Sequence, residues 1–169
     1  MSGGTCMRDM DKDGLILCEL QAKAFELSAT YMTCSSRIFI RRYMNSNVVK
    51  TLDNGEILQS NLDEKDILAQ INEEYGVSEY GKIKYQKNEL YWIGYIYRYY
   101  TYVHDISSKK AYKEVKPDEL KNLFLPYHTL SPMQAIERII ESKDANIDET
   151  ELERQYRVFK KNRLRHGIE

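Results

Sequence analysis

The segment ELYWIGYIYRYYTYVHD, residues 89–105, places six tyrosines, one tryptophan and one arginine in seventeen consecutive positions. As a strand it would be apolar on both faces, with Tyr91, Ile93, Tyr95, Tyr97 and Tyr99 on one side and Leu90, Trp92, Ile96 and Tyr100 on the other. It would also be far longer than the strands of globular proteins. Length therefore predicts a helix, in spite of the modest helix propensity of tyrosine. At roughly 100° per residue, Trp92, Ile96, Tyr99 and Val103 share a side that should be core, with Ile93, Tyr97 and Tyr100 beside it. The remaining stripe carries Tyr91, Tyr95, Arg98, Tyr102 and Asp105. Tyrosine brings area and a hydroxyl, and Arg98 can stack on a ring while binding a carboxylate or phosphate. The stripe reads either as packing against a second layer or as a contact surface for a protein or nucleic acid.

Helical spacing recurs along the chain. Leu17, Leu20, Ala24, Leu27 and Tyr31 lie three or four residues apart and predict a helix over 14–33, followed by a short one over 37–45 capped by Ser36. Around Asp53-Asn54-Gly55 the β-branched flanks predict a small hairpin, because Asn-Gly supplies the positive φ angles of a tight turn. Asn61 with Glu64 resembles a capping pair for a helix over 62–75 that ends at Gly76, and GKIKYQ, 81–86, has strand composition. Ser107 and Ser108 cap a helix through Val115, Pro117 opens another that Pro126 stops, and Ser131-Pro132-Met133-Gln134 opens a helix over 132–142. Leu152, Tyr156, Phe159 and Arg163 mark one face of a last helix over 148–164. The expected fold is a mainly α, compact single-domain multi-helix bundle with at most a small hairpin. It comprises a loose leader at 1–13, a helical domain at 14–145 and a basic C-terminal helix or tail at 146–169.

Composition excludes more than it names. With 169 residues, 42% hydrophobic content and a net charge of −1, the chain is an ordinary globular protein with no bulk attraction for polyanions. Its start lacks the basic and apolar regions of a secretory signal and no apolar run could span a bilayer, so a cytoplasmic location without membrane contact is expected. Cys6, Cys18 and Cys34 have neither disulfide-framework nor zinc spacing, so no metal and no cofactor is expected.

Charge is unevenly placed. Residues 35–50 hold Arg37, Arg41, Arg42 and Lys50 without an acid, and residues 154–166 hold Arg154, Arg157, Lys160, Lys161, Arg163 and Arg165 without one. Residues 56–79 hold seven acids against Lys65 alone. Such runs are ordinarily solvated faces. Arg37 and Arg41, however, lie one helical turn apart and can clamp one carboxylate or phosphate, which makes Arg37, Arg41 and Arg42 a partner-binding candidate alongside the tyrosine stripe. The short helices over 107–142 have helix-turn-helix proportions without a polar reading helix, which leaves a DNA-binding autoregulator as an alternative. A homo-oligomer is also compatible with the sequence.

Arg98 and His104 form R-x5-H, which resembles the R-x(4–6)-H signature of HEPN-fold ribonucleases. That resemblance implies an all-α RNA-cleaving toxin using Arg98 and His104 across a dimer. On a regular helix the two lie about 120° apart, so they would not converge within one chain. More broadly, ELQAKAFELSATYMTCSSRIFIRRYMN together with ELYWIGYIYRYYTYVHDISSKKAYKEVKPDELKNLFLPYHTLSPMQAIERII resembles a small bacterial family found in short operons with ADP-ribosyltransferase-like and toxin–antitoxin genes. The resemblance covers most of residues 15–142. It implies a non-enzymatic, antitoxin-like or accessory component of a toxin–antitoxin or phage-defence module, whose partner is the toxin encoded by the neighbouring gene. It brings no catalytic residues.

Overall fold

The computed structural model describes residues 7–165, with side chains described for 7–145 and 151–161. It divides into two compact units at Pro132–Met133. The first is mainly α, and no strand forms among the described residues.

Its centre is a helix pair. Helix α1, Lys12–Tyr31, is capped by Asp11, whose carboxylate accepts from Gly14 N at 2.8 Å. It buries Leu17, Cys18, Gln21, Phe25 and Ser28 at three- and four-residue spacing. Helix α5, Lys87–His104, holds the tyrosine segment. The two run antiparallel, Gly14 lying against Tyr102 while Gly94 lies against Gln21 and Phe25. A Cβ at position 94 would sit 2.8 Å from Phe25 Cγ and 3.0 Å from Gln21 O, so only glycine allows this approach of the two backbones.

Three shorter helices pack around the pair: α2, Ser36–Met44; α3, Asn47–Asp53; and α4, Glu64–Tyr75. Phe25 meets Phe39 and Tyr43 edge-on, at 5.4 and 4.9 Å between centroids, which ties α2 to α1. Each such aromatic pair contributes about 0.5–1.5 kcal/mol beyond its buried area. Helices α6, Ser108–Glu114, and α7, Pro117–Tyr127, cover another side of α5, where the Tyr97 hydroxyl donates to Val115 O. Helix α7 ends one residue past Pro126.

Several expectations are corrected. The hairpin around Asn54-Gly55 is instead helix α3 followed by a 3-10 turn, Glu56–Gln59. Ser46 Oγ caps α3 by accepting from Val49 N at 3.1 Å, and Val48, Val49 and Leu52 are buried, so cap and burial outweigh the strand preference of valine. Gly55, at φ 79°, supplies the left-handed residue that closes a helix rather than a hairpin. Helix α4 is capped two residues later than expected, by Asp63 and Asp66 bonding reciprocally to each other's backbone N–H. GKIKYQ forms neither a strand nor a ladder, and its first residue, Gly81, has φ 78°. Of the leader, residues 1–6 lie outside the described residues, whereas residues 8–11 are held. Arg8 N donates to Val103 O at 2.7 Å, and the Arg8 guanidinium lies 4.4 Å over the Tyr102 ring.

In the second unit, the helices expected over 132–142 and 148–164 are one, α8, Pro132–Arg165. No glycine or proline interrupts residues 133–165, so nothing stops propagation. The boundary expected between residues 145 and 146 falls inside this helix.

Candidate partner-binding surface and the buried Arg98 centre

The tyrosine stripe separates into three environments. Tyr91 and Tyr95 are half-buried and stack at 6.4 Å between centroids, and the ladder continues to Tyr99 at 6.3 Å. Burial raises the hydroxyl pKa of all three. Further along α5, the Tyr102 hydroxyl donates to Asp11 Oδ1 at 2.6 Å, and Asp105 accepts from Arg8 Nη2 at 2.9 Å. Residues 8–11 thus lie across this end of the helix, so Tyr102 and Asp105 take the second-layer packing that was one of the two readings of the stripe.

Arg98 is the correction that matters most. It is 1% exposed, hence not available to a partner or to RNA, and it points between α1, α3 and α6. Gln21 Oε1 accepts from its Nε at 3.0 Å and its Nη2 at 2.8 Å. Asp53 Oδ1 and Thr101 Oγ1 accept from Nη1 at 2.7 and 3.1 Å, and Ser108 Oγ accepts from Nη2 at 3.0 Å. All five N–H groups are therefore used, which is what a buried guanidinium requires. The acceptors are themselves fixed. Tyr43 OH donates to Gln21 Oε1 at 2.8 Å, Gln21 Nε2 donates to Gly94 O at 2.8 Å, and Ser108 donates to Asp53 from Oγ at 2.6 Å and from its backbone at 3.0 Å. Beside this network, burial pushes the Cys18 thiol up to about 12, against a weaker downward pull from Arg98.

His104 does not join Arg98. Its ring meets Tyr100 edge-on at 4.9 Å, near the end of α5, and burial lowers its pKa below the ordinary imidazole value. Arg98 would have to leave its network to cooperate with any histidine, in this chain or in another. This geometry gives no support to a ribonuclease pair.

The arginine cluster on α2 divides differently. Arg42 is used internally, donating to Gly76 O at 2.7 Å and lying 5.3 Å over the Tyr75 ring. Arg37 and Arg41 are exposed and face the segment 76–86, with which they line a groove of about 350 Å³. That segment is pinned by its backbone. Ser35 N donates to Tyr80 O at 3.1 Å, Ser36 N to Ile83 O at 3.0 Å, and Tyr85 N to Ser36 Oγ at 2.9 Å. Thr33 Oγ1 donates to Ser78 O at 2.5 Å, and Lys84 Nζ donates to Met32 O at the end of α1. Its outward side chains remain in solvent: Val77, Tyr80 and Ile83 are 71%, 76% and 69% exposed.

The groove combines Arg37, Arg41 and Lys82 with Tyr80, Ile83 and Tyr112. Asp118 Oδ2 lies 3.3 Å from Arg37 Nε and also holds Tyr85 OH through Oδ1, so Arg37 is oriented. Arg41 and Lys82 have no carboxylate partner among the described residues. The site therefore has a net positive charge beside apolar groups carried on a backbone that is held by hydrogen bonds. Arg37 and Arg41 were legible as a helical pair. Tyr80, Lys82 and Ile83 were not, because a pinned loop has no periodicity; their one signal is the alternation of aromatic, cationic and apolar residues in YGKIKY.

Among the described residues no group of three or more His, Cys, Asp and Glu could hold a metal ion, and no helix is long and apolar enough to cross a membrane. Comparison with protein-family models, with curated proteins and with solved structures finds no match to this chain.

Proposed function

We propose that the protein acts by binding, taking an acidic segment of a partner protein in the groove of Arg37, Arg41 and Lys82, with Tyr80 and Ile83 as apolar anchors. The observation that carries this reading is a segment fixed by backbone hydrogen bonds that nevertheless presents large apolar side chains and cations to solvent. Holding such groups in place before binding lowers the entropic cost of association, and arginine and tyrosine are among the residues enriched at interface hot spots. A net charge of −1 favours a protein partner over a nucleic acid. In cellular terms we assign an antitoxin-like or accessory role in a toxin–antitoxin or phage-defence module, with the neighbouring gene's product as the partner.

Co-expression tests this reading. The two products should co-purify, and the chain should restore growth to cells expressing the neighbour. Arg41→Glu with Lys82→Glu should abolish both while the variant remains folded. If the neighbour's product does not bind, or binds the variant as well as it binds the native chain, the proposal fails.

A further inference from the structure

The groove of Arg37, Arg41 and Lys82 holds more positive charge than one carboxylate can neutralise. Among the described residues Asp118 is the carboxylate paired with these cations, its Oδ2 lying 3.3 Å from Arg37 Nε. Three cations against that one acid leave two positive charges. Because Asp118 takes Arg37 on its Nε side, both Nη groups are left for a ligand. Ser35, which caps α2 by accepting from Ile38 N, also lines the groove, so the positive end of the α2 dipole adds to the field.

Two charges discriminate between anions. A carboxylate or a phosphodiester carries a single negative charge. A phosphate monoester carries about −1.5 to −2 at pH 7 and presents three strong acceptor oxygens. Of these anions the monoester matches both the charge and the three donor side chains of the groove, and arginine clusters are a recurrent means of reading phosphorylated segments. The walls say what bears the phosphate. Ile38, Tyr80, Ile83 and Tyr112 line the same groove, which favours an aromatic body over a short alkyl one. At about 350 Å³ the space is at the lower end of small-ligand pockets, sufficient for one ring with its phosphate.

We infer that the anchor of the partner's acidic segment is a phosphorylated tyrosine, its phosphate held by Arg37, Arg41 and Lys82 and its ring lying among Tyr80, Ile83 and Tyr112. The inference rests on the groove being the partner site, and it makes docking conditional on phosphorylation of the partner.

Isothermal titration calorimetry of the full chain with phenyl phosphate, methyl phenyl phosphate and phenylacetate tests this. Phenyl phosphate should bind with a dissociation constant of about 1 mM or tighter, and the singly charged diester and carboxylate at least about tenfold more weakly. Ethyl phosphate, which has no ring, should also bind more weakly than phenyl phosphate. Arg41→Gln with Lys82→Gln should abolish the preference for the monoester without changing unfolding stability. Treating the neighbouring gene's product with a tyrosine phosphatase should weaken its binding by at least about tenfold, which separates a phosphorylated partner from a free phosphate ester. No binding of phenyl phosphate at about 10 mM overturns the inference, and so does phenylacetate binding as tightly as the monoester. A partner that binds equally after phosphatase treatment, yet still fails to bind Arg41→Glu with Lys82→Glu, overturns the phosphotyrosine while the groove stands as the partner site.

Discussion

Arg98 Nη1 donates to Asp53 Oδ1 at 2.7 Å, in a pair whose side chains are 2% and 19% exposed. The pair joins the middle of α5 to the end of α3, and through Ser108 it also holds the start of α6. Removing either partner leaves the other group without its counter-charge in a largely buried setting. Arg98→Ala and Asp53→Ala should each destabilise the protein by about 3–5 kcal/mol, measured by urea unfolding. The double variant should lose clearly less than the sum of the two, as residues of one network do.

Gly94 sets the spacing of α1 and α5. Gly94→Ala gains about 1 kcal/mol in helix propensity but forces Phe25 and the Gln21 carbonyl aside. Overpacking against backbone should outweigh that gain, for a net loss of roughly 1–2 kcal/mol in thermal or urea unfolding. A stabilised variant would mean that the two helices separate freely.

Cys18 is fully buried and its thiol is held up to about 12 by desolvation. The thiolate is the reactive form, so at pH 8 it should resist alkylation in the native protein and react once urea unfolds it. Mass spectrometry of the peptide containing Cys18 follows both states. Fast labelling under native conditions would show that the α1–α5 interface opens locally.

Burial lowers the His104 pKa, with a weaker opposing pull from Glu114. The unfolded chain therefore binds a proton first as the pH falls. The contribution of His104 to stability is complete above about pH 6.5 and is lost progressively below that value. Titration of the His104 Cε1–H resonance should give a midpoint below about 6.5. His104→Gln should flatten the decline in stability below about pH 6.5.

How much was legible follows from the range of each interaction. Helices α1, α2 and α5 to α7 could be read from spacing and caps, which are properties of four or five neighbouring residues, although α2 is capped by Ser35, which accepts from Ile38 N, and not by Ser36 as expected. Helix α3 could not, since its valines and Asn-Gly satisfy a hairpin equally well and only burial of Val48, Val49 and Leu52 decides. The amphipathic stripe of Arg98 read equally as second-layer packing or as a contact surface, and its partners Gln21 and Asp53 lie 77 and 45 residues away. No local pattern announces such a network. The groove was half visible, its helical arginines showing a period and its loop residues showing none.

The most direct test of the proposed function is the affinity of the chain for the neighbouring gene's product, measured by isothermal titration calorimetry for the native protein and for Arg41→Glu with Lys82→Glu. Both positions are outside the core, so unfolding stability should change by no more than about 0.5 kcal/mol. The variant should bind at least about a hundredfold more weakly, and the native affinity should fall as salt rises. Equal affinity of variant and native chain, or an affinity indifferent to salt, would contradict the assignment of this groove as the partner site.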